Sequence, residues 1–166
     1  PAVAEAGHDV AVLDTDPTKT ATRWIEETGG LALAKNGKQY SALLIDTPPR
    51  LESQQVSDAV SRADVVVVVS SPSPADLFTS RDTADFVKHF KAGERSRLLF
   101  NQVQPGTLLS RDLGDMAERI GLQRLKNQLH RRQAYQHAVL LGWKSLPFEA
   151  REEVFKLALE ITGIAK

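Results

Sequence analysis

Apolar positions along this chain follow two patterns. Four short stretches run without polar interruption: residues 10–13, 42–45, 65–69 and 98–100. Uninterrupted aliphatic and β-branched runs mark strands buried on both faces, as in parallel sheets. Their starts lie 32, 23 and 33 residues apart, which leaves room for crossover helices. Between and beyond them the apolar residues recur at helical spacing. Residues 20–27 place Ala21, Trp24 and Ile25 on one side, and residues 54–62 place Val56, Ala59 and Val60 there. Residues 76–91 offer Leu77, Phe78, Ala84, Phe86, Val87 and Phe90 as a buried stripe. Further helices are predicted over 110–120, closed by Gly121, over 133–141, ended by Gly142, and over 149–162, with Val154, Leu157, Ala158 and Ile161 inward and Gly163 as cap. Residues 1–6 read as the tail of a helix stopped by Gly7, and residues 29–39 as a loop. The pattern predicts one doubly wound α/β domain over 1–166, mainly parallel, with helices on both faces and right-handed connections.

Composition narrows the chemistry. The 21 basic and 21 acidic residues cancel, so a strongly basic nucleic-acid protein is excluded at whole-chain level, though a local patch is not. The chain has no cysteine, which removes disulfides, thiolate zinc sites and thiol nucleophiles. The longest apolar run is far too short to span a bilayer, and no secretory leader is visible, so a cytoplasmic protein is the expectation. The mixed charges of the helix over 149–162 (Glu149, Glu152, Glu153 and Glu160 among them) argue against a membrane-binding tail. His8, His89, His130 and His137 form no metal-binding spacing.

Every predicted strand ends in polar residues. These are Asp14-Thr15-Asp16-Pro17, Asp46-Thr47-Pro48-Pro49, Ser70-Ser71-Pro72-Ser73-Pro74 and Asn101-Gln102. Ligands of open α/β sheets sit beyond the carboxyl ends of the strands, so Asp14, Asp16 and Asp46 are placed to share a cleft. Carboxylates so gathered repel one another unless a cation intervenes, and Mg²⁺ held with waters and phosphate oxygens suits them. Any one of these aspartates taken alone reads better as a turn or N-cap residue. The set, with Asp46 closing an apolar strand in the Walker B manner, favours chemistry.

These segments resemble ParA-type partition ATPases, most closely the small ones without an N-terminal DNA-binding domain. The likeness runs through Asp14-Thr15-Asp16-Pro17 with Thr20-Ala21-Thr22-Arg23-Trp24, then residues 40–49 (YSALLIDTPP), 63–77 (ADVVVVVSSPSPADL), 98–102 and 131–142 (RRQAYQHAVLLG). The resemblance implies a P-loop NTPase-like fold using ATP/ADP and Mg²⁺. Asp16 would position or activate the attacking water, with Asp14 as its partner near the metal. Asp46 would hold Mg²⁺ through water. Asn101 would contact the adenine, and Pro72 and Pro74 would line the nucleotide and dimer surface. The implied activity is plasmid or chromosome partitioning. A nucleotide-dependent homodimer would bind DNA without sequence preference, associate with the nucleoid and answer to a ParB-like or centromere-binding partner. Arg131, Arg132 and Lys126 are the candidate DNA contacts, whereas Lys88 and Lys91 read as a solvated helix end.

The departures are specific. No G-x-x-x-x-G-K-[ST] occurs in the 166 residues. The family's strand one, its KGG-x-GKT loop and most of its first helix have no counterpart here. Without that amide cradle and lysine the 166 residues should hydrolyse ATP poorly. The stretch from Asp16 to Asp46 is short for the family, and Arg50 stands where glycine is usual. A non-catalytic DNA-binding or interaction scaffold on the same fold is therefore an alternative. A receiver-like domain with Asp46 as phosphoacceptor is another, opposed by the short spacing and by the lack of Lys-Pro after the last strand. A MinD-like role on iron–sulfur carriers or in cell division is a third, its carrier version disfavoured by the missing cysteines.

Overall fold

The computed structural model describes residues 1–165, which form two compact units. One comprises Pro1–Ala59 and Gln133–Phe155; the other comprises Val60–Arg132 and the chain from Lys156 onward. Parallel strands joined through helices run through both, as the sequence pattern predicts.

The first unit holds α1 (Ala2–Glu5), β1 (Val10–Asp14), α2 (Thr20–Thr28), β2 (Ala32–Leu33), β3 (Ala42–Asp46) and, late in the chain, α7 (Gln133–Leu141). Its sheet has the order β2-β1-β3, all parallel. β1 is the central strand, and Val10, Ala11 and Val12 are buried there. Helix α2 buries Ile25 and packs against α7. The Trp24 indole N–H donates to the Ala138 carbonyl at 3.3 Å. The approach is close at Gly142, where a Cβ would lie 3.2 Å from the Thr28 Cβ; its φ of +78° also favours glycine.

The second unit holds β4 (Val66–Ser70), α4 (Pro74–His89), β5 (Ser96–Phe100), α5 (Leu108–Arg111) and α6 (Leu113–Ile120). β4 and β5 pair in parallel from Val66↔Ser96 to Ser70↔Phe100. An extended segment covers the other edge of β5. Leu98 donates to the Gln123 carbonyl at 2.9 Å, Leu125 to Leu98 at 2.8 Å and Leu129 to Phe100 at 3.0 Å. Leu99 and Leu125 form a core cluster with Leu157 of α8 (Phe148–Ile164), and Glu160 of α8 pins the segment. Its carboxylate accepts from the Lys126 N–H at 2.7 Å, the Asn127 N–H at 2.9 Å and the Asn127 amide at 2.7 Å.

Several expectations need correction. β3 is not buried on both faces: Leu43 is 45% and Leu44 53% exposed. It pairs with β1 alone and has no strand on its other side among the described residues. Phe78 does not join the buried stripe of α4 and is 64% exposed. The helix expected over 110–120 is two helices broken at Asp112, whose φ of −96° and ψ of 13° leave the α region. Thr107 caps the first of them by accepting from the Ser110 N–H at 3.2 Å. Gly163 lies inside α8 rather than capping it. The loop over 29–39 contains the two-residue strand β2.

Candidate functional site

The first unit brings two predicted carboxylates together by strand register. β1 ends at Asp14 and β3 at Asp46, and these two residues are directly paired. The backbone stays joined past the strand ends, because the Thr15 N–H donates to the Asp46 carbonyl at 2.8 Å and the Thr15 hydroxyl to the same oxygen at 2.7 Å.

The turn from β1 into α2 is built on Asp14. One carboxylate oxygen accepts from the Asp16 N–H at 3.0 Å. The other accepts from the Thr22 N–H at 2.9 Å and the Thr22 hydroxyl at 2.8 Å, in the first turn of α2. A carboxylate there meets the unpaired amides and positive end of the helix. Asp16 makes an Asx turn, accepting from the Thr18 N–H at 2.8 Å. The Lys19 ammonium donates to the Asp14 carbonyl at 2.7 Å.

The paired aspartates titrate in opposite directions. Burial by itself raises the Asp14 carboxyl, but the Thr22 and Asp16 donors and the Lys19 charge outweigh it and hold Asp14 below the ordinary aspartate value. Asp46 is pushed above that value by desolvation first, then by the charges of Asp14 and Asp16, with partial relief from the Thr47 N–H.

This donor set bears on what the site can hold. Both Asp14 oxygens are engaged by the protein. Among the described residues no group of three or more His, Asp or Glu side chains is placed to grip a metal ion directly. Asp46 is exposed and repelled by its neighbours, so a nearby cation would stabilise its charge. An all-oxygen set with one open carboxylate fits a hard cation that keeps its waters, as Mg²⁺ does.

The second unit carries the other predicted residues at the ends of β4 and β5. Buried Ser70 accepts from the Ser80 hydroxyl at 2.8 Å, and the Ser71 hydroxyl donates to Asp76. Ser73 caps α4 by accepting from the Asp76 N–H at 3.2 Å, and Pro74 occupies the first helical position. The Asn101 N–H donates to the Ser70 carbonyl at 2.9 Å. The Asn101 side-chain oxygen accepts from the Gln102 N–H at 2.8 Å. Pro72 and Arg131 line one shallow pocket of about 220 Å³ with Ser71, Gln102 and Thr107. Pro74 and Asn101 are not in its lining. Arg132 is half-buried, while Lys126 is exposed on the segment pinned by Glu160.

Sequence reasoning assigned no role to Thr15, Lys19 or Thr22. Thr22 sits in a quoted motif, and its eight-residue distance from Asp14 is the signal available. The contacts of Thr15 and Lys19 are to backbone carbonyls, which leave no mark in residue identity.

Comparison with known proteins places the fold. No protein-family model matches the chain. Its fold superposes on apo McdA from Cyanthece with a TM-score of 0.74 at 12% identity, over 99% of this chain and 90% of that one. It superposes on the MinD cell division protein of Aquifex aeolicus with a TM-score of 0.73 at 15% identity, over 98% and 87%. A plasmid partition protein from Borrelia burgdorferi bound to AMPPNP gives 0.69 at 11% identity, over 95% and 88%. The chain therefore has the P-loop NTPase-like fold of the MinD/ParA ATPases. In sequence it is similar to the maintenance of carboxysome distribution protein A of Halothiobacillus neapolitanus, 26% identical over 150 residues, and to that of Gloeobacter kilaueensis, 30% identical over 132 residues. It spans 65% and 58% of the length of these two relatives. Among the described residues no helix is long and apolar enough to cross a membrane.

Proposed function

We propose that this chain is the α/β core of a ParA-like positioning ATPase that works with ATP and Mg²⁺. The observation that carries the reading is the register pairing of Asp14 with Asp46, with Asp16 in the turn between β1 and α2. An AMPPNP-bound structural neighbour supports a nucleotide as the ligand. In this reading Asp46 would hold Mg²⁺ through water, and the ion would supply positive charge beside the phosphates. Asp14 shapes the turn that presents Asp16, and Asp16 orients the attacking water. Asn101 contacts the base, while Pro72 and Pro74 form the turn facing the nucleotide and a second subunit. Arg131, Arg132 and Lys126 contact DNA phosphates without reading sequence. The cargo is a large cellular body: a plasmid or chromosome bound through a ParB-like partner, or a protein body, as the relatives' carboxysome-distribution name favours.

The test is ATP binding and hydrolysis by the protein isolated from its native source, compared with its Asp16→Ala variant. Hydrolysis should fall by about 10²-fold or more while nucleotide binding persists. Equal rates would overturn the role of Asp16. DNA binding should require nucleotide and weaken steeply between low and moderate salt. Binding that ignores nucleotide, with no ATP turnover, would establish the scaffold reading instead.

A further inference from the structure

We propose that Lys19 is a positioning residue of the acidic site, its ammonium locking the turn that carries Asp16. Three local preferences oppose a lysine at this position. Its φ of 55° and ψ of 34° lie in the left-handed region, which glycine enters freely and other residues resist. It is also the N-cap of α2 and makes no side-chain cap bond, where Ser, Thr, Asp or Asn would bond an orphan amide. Finally, it brings positive charge to the positive end of a helix.

Lysine offers one compensating contact that none of those residues could make. Its ammonium reaches back across the turn to the last carbonyl of β1, Asp14 O, at 2.7 Å. That is a charge-assisted hydrogen bond beside the Asp14 carboxylate. The Lys19 backbone is held on both sides, its N–H donating to Asp16 O at 3.1 Å and its carbonyl accepting from Arg23 at 3.0 Å. One residue thus joins all three: its side chain holds the strand end, and its backbone holds the Asp16 turn and the helix start. A residue that breaks several local rules at once marks a place where the tertiary site, not the local chain, selects it. The positioning of Asp16 for water matters for catalysis only if the ATPase reading above holds, whereas the lock itself can be measured without nucleotide.

The experiment is amide hydrogen exchange on the nucleotide-free full protein and its Lys19→Gly, Lys19→Met and Lys19→Arg variants, read at the amides of Asp16, Thr18 and Thr22. These three amides report the turn, because each donates to Asp14 or Asp16. The lock predicts that Gly and Met each lower protection by about tenfold, although Gly removes the backbone strain, and that Arg keeps it within about twofold. A merely strained cap predicts the reverse for Gly, with protection unchanged or raised. That result, or full protection in the Met variant, would overturn the proposal. Because no ATP is present, a failed lock is distinguishable from a failed ATPase reading.

Discussion

β3 and β5 are built from the same kind of sequence and meet opposite surroundings. Ala42-Leu43-Leu44-Ile45 and Leu98-Leu99-Phe100 are both uninterrupted apolar runs. In β5, Leu98 is fully buried, with β4 on one side and the segment through Leu125 and Leu129 hydrogen-bonded along the other. Among the described residues β3 is paired on its β1 side only, and Leu43 and Leu44 face solvent on both surfaces of the strand. An apolar run therefore encodes a strand. How much of it leaves water depends on how many neighbours arrive, and those lie far away in sequence.

The comparison breaks if leucine removal costs the same in both strands. Leu98→Ala should lower unfolding free energy by about 2–5 kcal/mol, the range for a buried leucine that leaves a cavity. Leu44→Ala should cost under about 1 kcal/mol, since half its surface is already wet. Urea melts of both variants decide it, and similar costs would mean that β3 is covered in solution.

A smaller effect separates the paired aspartates. Asp14→Ala should cost about 1–3 kcal/mol, because the Thr22 and Asp16 amides lose their acceptor. Asp46→Asn should leave stability at pH 7 unchanged or slightly raised, because it removes a repelled charge. Their pH dependences run in opposite senses. Asp14 is depressed in the fold, so its stabilisation is complete above the ordinary aspartate value of 3.8 and is lost as pH falls through its lower folded value. Asp46 is raised, so just above pH 3.8 its folded form keeps more of its proton than the unfolded chain does. Its contribution favours the fold at low pH and is lost as pH rises from 3.8 through its folded value. Stability curves of the wild type, Asp14→Asn and Asp46→Asn should show the first substitution flattening the limb below pH 3.8 and the second the limb just above it.

Much of this molecule was legible beforehand. The helices at Gln54–Arg62 and Gln133–Leu141 match their predicted bounds, since both carry clear punctuation and helical spacing. The acidic strand ends were visible because Asp follows directly on an apolar run. The break at Asp112 was not, because periodicity continues through it and only the local dihedral departs. Nor was the exposure of Phe78, since a helix shows its full stripe whether or not a neighbour covers all of it. Lys19 left no signal in the sequence, because its partner is a backbone carbonyl.

By itself the sequence determined the α/β class, the parallel strands, and the positions of Asp14, Asp16 and Asp46 at strand ends and turns, because periodicity and chain punctuation are local properties. The tertiary structure alone decided that Asp14 faces Asp46, that one is depressed and the other raised, and that among the described residues β5 is covered on both sides while β3 is not. Strand register, burial and the summed field of charges all arise between segments that the linear order keeps apart.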